Sequence, residues 1–188
     1  MPSGTFASRA GEKLDHGLQA FGIDVRGFTA ADFGSSTGGF VDCLLQRGAE
    51  KVYAVETGYG TLDWKLRNDE RVVVMERENA MHVELPERVD FISIDTSWTR
   101  LANVVPNAVR NLKPKGQIVA LLKPHYEAQP RQLRKGKLAR EFIPEILEAV
   151  KTDLTALGVS VRAVVESPIK GEKGGNVEYL LHLLPKSV

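Results

Sequence analysis

Thr29-Ala30-Ala31-Asp32-Phe33-Gly34-Ser35-Ser36-Thr37-Gly38-Gly39 joins a short apolar run, a glycine-rich turn and the start of a helical pattern that continues to Arg47. A strand that empties through glycines into a helix is the context a nucleotide-type ligand site requires. Outward from it, apolar runs stand at Lys51–Val55, Val72–Met75, Val89–Ile94 and Gln117–Leu122. Helical patterns alternate with these runs at Gly39–Arg47, Leu62–Arg67, Trp98–Asn111 and Leu138–Leu157. Nearly continuous apolar strands alternating with helices predict a parallel sheet covered on both faces. The rhythm breaks at the end, where Val159–Val165 and Val177–Leu184 are both strand-like and only the glycine-rich Ser167–Asn176 separates them. That connection is too short for a helical crossover, so an antiparallel hairpin is expected. The predicted fold is α/β: a doubly wound, mostly parallel sheet of seven strands with a C-terminal antiparallel strand. Before it, Ser8–Phe21 reads as an amphipathic helix, with Ser8 as N-cap, Ala10, Leu14, Leu18 and Phe21 on one stripe, and Gly22 at its end. Residues 1–27 are expected to form a helical segment that makes one globular unit with 28–188.

Composition agrees with a soluble domain. The 188 residues are 43 % hydrophobic and 26 % charged, with a net charge of +1, ordinary values for a globular chain. Cys43 is the single cysteine, so no disulfide forms within the chain, and a reducing, cytoplasmic setting fits. Met1–Ala10 lacks the apolar centre of a signal peptide, and no apolar run reaches the roughly 20 residues of a membrane helix. The charge is unevenly spread. Residues 110–140 hold nine Lys/Arg and one acid, Glu127, a net +8 that leaves −7 for the rest. This segment reads either as a face for a polyanion, with Arg131, Arg134, Lys135, Lys137 and Arg140 on phosphates, or as a solvated surface.

Two acids flank the glycine turn. Asp32 ends the first strand, and Glu56 ends the next, where a carboxylate can accept hydrogen bonds from both ribose hydroxyls of an adenosine. The spacing is not Gly-x-Gly-x-x-Gly, and Gly-Lys-Ser/Thr is missing, so a dinucleotide is disfavoured and a P-loop excluded. Asp32 would repel a pyrophosphate but suits the ammonium-bearing methionine end of S-adenosylmethionine. A glycine turn without a ligand is the plain alternative.

In an open α/β sheet, ligands sit beyond the carboxyl ends of the strands. Asp95 ends one strand, Lys123 ends another before Pro124, and Glu178 lies near the start of the last. If that strand is antiparallel, all three charges converge at one edge, and Lys13, off the apolar stripe of the first helix, could join them. A lysine among carboxylates at an apolar strand end can be tuned as a base; a salt bridge is the plainer reading of each residue alone. His16, His82, His125 and His182 show no metal-ligand spacing, so no metal is expected. Trp64 and Trp98 could stack on a base or be buried near a cofactor. Cys43 reads as a buried structural thiol, and no nucleophile elbow is present.

At this point the chain resembles the FtsJ-like RNA ribose methyltransferases, and within them the catalytic domain of the TlyA-type, or haemolysin A, family. The matching stretches are Ser8–Leu14, Ser35–Phe40, Asp42–Ala49, Leu62–Arg67, Ile94–Ser97, Lys123-Pro124, Ser167–Gly171 and Gly175–Glu178. The resemblance implies a Rossmann-like class I methyltransferase using S-adenosylmethionine, with a catalytic tetrad at Lys13, Asp95, Lys123 and Glu178. It also implies a cofactor site built from Asp32, Gly34, Ser35, Ser36, Thr37, Gly38 and Gly39 for the methionine part, with Asp95 beside them. Glu56 and Thr57 would take the ribose, and Glu78 and Asn79 the adenine. Members of this family usually carry an S4-like RNA-binding domain before the Ser-Arg motif, and this chain starts almost at that motif. Trp98 stands where Phe is usual, and His125-Tyr126 where Gln-Phe is usual; both departures bear on the acceptor rather than the cofactor. The expected function is 2′-O-methylation of RNA, with ribosomal RNA as the partner and no membrane. A small-molecule O-methyltransferase and a non-catalytic S-adenosylmethionine- or RNA-binding module are the alternatives.

Overall fold

The computed structural model describes residues 6–171 and 175–186. Part of the expected Ser167–Asn176 connection, residues 172–174, and residues 1–5 of the expected leaderless N-terminus lie outside the described residues. The first five strands are β1 (Thr29–Phe33), β2 (Lys51–Glu56), β3 (Val72–Glu76), β4 (Val89–Ile94) and β5 (Leu112–Leu122). A two-residue pair follows, β6 (Leu133–Arg134) and β7 (Lys137–Leu138), then β8 (Val159–Glu166) and β9 (Tyr179–Pro185). The helices are α1 (Ala10–Phe21), α2 (Gly39–Gln46), α3 (Trp64–Arg67), α4 (Leu101–Asn111), α5 (Pro124–Glu127) and α6 (Ile143–Ala156).

One seven-stranded sheet runs in the order β3-β2-β1-β4-β5-β9-β8. β1 to β5 are mutually parallel, and β9 is antiparallel to both of its neighbours. The expected hairpin is present, and β9 sits between β5 and β8 rather than at the edge. Successive side chains on a strand point to opposite faces, and the core divides accordingly. Ala30, Phe91, Val119 and Leu121 pack with Leu14 and Leu18 of α1 and Phe40 and Leu44 of α2. Ala31, Ile92, Ile118 and Ala120 pack with Val104 and Ala108 of α4 and Val150 and Leu154 of α6.

Several details differ from the sequence reading, among them the starts of α3, β5 and α6, which fall at Trp64, Leu112 and Ile143. Ser8 does not cap α1: Arg9 holds the N-cap position without a side-chain bond, and Ser8 contributes only its carbonyl, to the Gly11 N–H. Gly22 does end the helix, in the left-handed conformation at φ 65°. α4 starts at Leu101 rather than Trp98, because Trp98 lies at φ 63°, which no right-handed helix accepts. The +8 segment is not one face. Arg110 lies in the last turn of α4, Lys113 and Lys115 at the start of β5, and Lys123 just past its end; at about 3.3 Å per residue the stretch from Gln117 to Lys123 sets the two groups roughly 20 Å apart.

Candidate functional site

The carboxyl edge of the sheet collects the charged strand ends. Parallel pairing aligns Phe33 with both Val55 and Ile94, and Ile94 with Ala120. Antiparallel pairing of Leu122 with Tyr179 brings the start of β9 to the same edge. Along it, in sheet order, stand Glu78 and Asn79 after β3, Glu56 on β2, the glycine turn after β1, Asp95 after β4, Lys123 after β5 and Glu178 before β9.

A cavity of about 440 Å³ opens there, lined by Lys13, Asp95, Lys123 and Glu178 together with Asp32, Gly34, Ser35, Ser36, Thr37 and Gly39. The tetrad is two ion pairs. Lys13 Nζ donates to Glu178 Oε2 at 2.6 Å, with side chains 9 % and 4 % exposed. Lys123 Nζ lies 2.6 Å from Asp95 Oδ1, with side chains 12 % and 18 % exposed. That second contact is too poorly aligned for a hydrogen bond and leaves Asp95 Oδ1 without one. Lys123 instead donates to the Thr96 carbonyl at 3.3 Å and to Ser97 Oγ at 3.4 Å. Sequence periodicity put Lys13 off the apolar stripe; the structure buries it, because Glu178 supplies the countercharge a buried ammonium requires.

Asp32 and Glu178 are the two buried acids among the described residues. Ser93 Oγ donates to Asp32 Oδ1 at 2.7 Å, and Oδ2 has no partner. Burial, with Asp95 and Glu56 adding negative charge nearby, pushes its carboxyl up to about 8 despite the Ser93 bond. A buried carboxylate oxygen without a donor, lining a cavity, is a site that a cationic group satisfies.

Glu56 organises the turn. Its Oε2 accepts from the Ser36 N–H at 2.9 Å, and its Oε1 from the Gly58 N–H at 2.8 Å and Thr57 Oγ1 at 3.1 Å. A carboxylate has about four lone-pair sites and three are taken, so capacity for one further donor remains, on Oε2. Glu78 is tied beside it through its N–H to the Glu56 carbonyl at 3.0 Å, and Asn79 Oδ1 accepts from the Met81 N–H at 2.9 Å. Glu56, Thr57, Glu78 and Asn79 stand outside the tetrad cavity, on the β2–β3 side of the glycine turn.

Gly38 also stays outside the cavity. At φ 98° a side chain there would run into Leu62 and Leu66, so the glycine lets α3 pack against the turn. Gly34, at φ 91°, plays the comparable part toward β4: a Cβ there would stand 2.5 Å from the Asp95 carbonyl.

The rim carries groups the sequence left ambiguous or unread. Trp98 is 78 % exposed, and Trp64 is exposed as well, against burial near a cofactor. The Trp98 ring lies 5.3 Å from Tyr126, whose ring is 4.1 Å from His125. His125 Nδ1 has no partner, and burial and the nearby Lys123 charge hold the imidazole below its usual range. Ser8, Arg9 and Phe40 line the cavity too; Ser8 and Arg9 belong to a matching motif that suggested no contact by itself. Glu127 Oε1 accepts from the Leu101 N–H at 2.8 Å, so the segment after β5 holds both ends of the 96–100 loop. Cys43 is buried, which raises its thiol well above the usual range. Among the described residues no helix is long and apolar enough to cross a membrane.

A family model for FtsJ-like methyltransferases matches residues 6–184. The chain is 40 % identical over 187 residues to YqxC of Bacillus subtilis, covering 95 % of this chain and 65 % of that protein. It is 41 % identical over 186 residues to the 16S/23S rRNA (cytidine-2′-O)-methyltransferase TlyA of Mycobacterium tuberculosis, covering 95 % and 68 %. The solved structure of a "putative hemolysin" from Streptococcus thermophilus superimposes with a TM-score of 0.94 at 38 % identity, covering 98 % of this chain and 69 % of that one. The chain therefore spans about two thirds of the length of these relatives.

Proposed function

The chain belongs to the FtsJ-like methyltransferases, and from that premise we propose that it transfers a methyl group from S-adenosylmethionine to a ribose 2′-hydroxyl of RNA, with ribosomal RNA as the substrate and the cytoplasm as the setting. The observation that carries the reading is the pair of lysine–carboxylate contacts in one cavity with the unpartnered Asp32 oxygen.

The residues fit the cofactor. Asp32 Oδ2 would meet its ammonium group, the Gly34–Gly39 turn would border its methionine part, and Glu56 and Thr57 would take its ribose, with Glu78 and Asn79 toward the adenine. When bound, it supplies an electrophilic methyl group. Lys123 Nζ, as the neutral amine once its own proton has passed to solvent, takes the proton of the attacking hydroxyl, a contribution of about 10²–10⁴-fold for a positioned base. Asp95 stabilises the ammonium that results. The Lys13–Glu178 pair lines the same cavity and holds α1 to the start of β9, so residues 1–27 and 28–188 work as one catalytic unit. The exposed rings at the rim offer a π-face to an acceptor base.

The test is transfer of tritiated methyl from S-adenosylmethionine to unmodified 16S and 23S rRNA transcripts, followed by nucleoside analysis. The expected product is a 2′-O-methylated nucleoside. Label on a base, or label only in a small-molecule extract, would reject the reading.

A further inference from the structure

The segment after Lys123 forms a small arm. β6 and β7 pair through Leu133–Leu138 and Arg134–Lys137, and the two residues between them, Lys135 at φ 49° and Gly136 at φ 75°, make a left-handed two-residue turn. Such turns match the twist of a hairpin, so the arm's shape is set locally. Arg131, Arg134, Lys135 and Lys137 are exposed and have no carboxylate partner among the described residues. Arg140, at the base, reaches Glu166 at 3.4 Å.

An isolated hairpin of this size is not stable in water. What fixes it is Asn176, buried to 6 % exposure. Its Oδ1 accepts from the Leu138 N–H at 3.0 Å, and its Nδ2 donates to the Gly136 carbonyl at 3.0 Å. One amide thus grips the tip and the second strand of the arm. The Asn176 carbonyl accepts from the Gly171 N–H at 3.0 Å, and two residues on, the Glu178 carbonyl accepts from the Ser167 N–H at 2.8 Å. The same short segment therefore carries the arm's anchor and the carboxylate that pairs with Lys13.

We propose that the β6–β7 hairpin is a phosphate-gripping arm for RNA and that Asn176 is the positioning residue that registers this arm against Glu178 and the cavity. The proposal rests on the RNA reading above and narrows it: the grip lies in residues 131–137, and the cations at the start of β5 take no part. Arm cations supply affinity, and the Asn176 amide sets where a gripped strand presents its ribose.

The experiment compares wild type, Arg134→Ser/Lys137→Ser, Asn176→Ala, Asn176→Asp and the combination of the double and alanine variants. Three quantities are read: S-adenosylhomocysteine affinity, affinity for unmodified rRNA transcripts against salt, and kcat at saturating rRNA. The double variant should bind rRNA several-fold more weakly, with the salt slope flatter by about 0.7–0.9 per lost contact. Asn176→Ala should keep cofactor affinity and rRNA affinity within about threefold while kcat falls about tenfold. In the combined variant kcat should fall no further than in Asn176→Ala alone, since both changes act through the arm. Asn176→Asp keeps the Leu138 bond and loses the one to Gly136, so it should fall between wild type and alanine; it also serves if the alanine variant does not fold. Wild-type kcat in both Asn176 variants, or cofactor and rRNA affinity falling in step with kcat, would overturn the joint while leaving the methyltransferase reading intact. Failure of the wild type to bind or methylate rRNA would overturn both.

Discussion

Lys13–Glu178 and Lys123–Asp95 are ion pairs of the same length and the same chemistry in different surroundings. The first is hydrogen-bonded and sealed between α1 and the start of β9; the second is misaligned, more exposed, and shares its lysine with Thr96 and Ser97. A pair that is well made and dry fixes geometry. A pair that is imperfectly made at a cavity wall can change partners. On the proposed function, the difference separates a group that holds the site from one that works in it.

The largest effect should come from breaking the working pair. Lys123→Ala should lower single-turnover methyl transfer by about 10²–10⁴-fold with cofactor affinity unchanged. Lys123→Arg should be equally slow, because a guanidinium stays protonated; wild-type turnover in the arginine variant would erase the contrast between the pairs.

Breaking the sealed pair should act first on stability. Glu178→Ala leaves a buried ammonium alone and should cost about 3–5 kcal/mol in urea unfolding. Asp95→Ala should cost clearly less, since water in the cavity reaches Lys123. Lys13→Met/Glu178→Leu should recover most of the stability, because a buried pair is often replaceable by apolar side chains. Equal losses for Glu178→Ala and Asp95→Ala would show that the pairs do not differ.

Asp32 sharpens the comparison as a carboxylate with no cation at all. Its folded value of about 8 stands above the ordinary aspartate value of 3.8, so its contribution to stability is whole below the unfolded value and is lost as pH rises toward 8. Asp32→Asn should therefore unfold at progressively higher temperature than the cofactor-free wild type between about pH 4 and 8. Cofactor binding needs the ionised form, so affinity should rise by up to about tenfold per pH unit as pH approaches 8 and then level. A calorimetric affinity flat from pH 6 to 9 would remove Asp32 as the ammonium's partner.

The elements that positioned the site were legible because they are governed by local periodicity. The five parallel strands, the glycine turn and the closing hairpin follow from runs of apolar residues and from a connection too short for a helix. What was not legible depends on contacts far apart in the chain. The burial of Lys13 is decided by Glu178, 165 positions away. The slot taken by β9 depends on which edge of β5 is free. Two-residue strands such as β6 and β7 leave no periodicity to read, and their anchor, Asn176, is 38 residues from Leu138. Trp98 defeated the helix boundary because an apolar pattern does not register a positive φ.

The place of β9 has a consequence for how the molecule is made. β9 pairs with β5 on one side and β8 on the other, so during synthesis both strands wait with an open flank until residues 179–185 emerge. Unpaired strand edges are templates for association with other chains, and the wait is longest for β5, whose partner lies some 60 residues downstream. Insertion of β9 also delivers Glu178 to Lys13, so the step that closes the sheet completes the constellation. Pulse-labelled amide exchange during refolding should show β1 and β4 protected before β9, with cofactor binding regained only as β9 becomes protected.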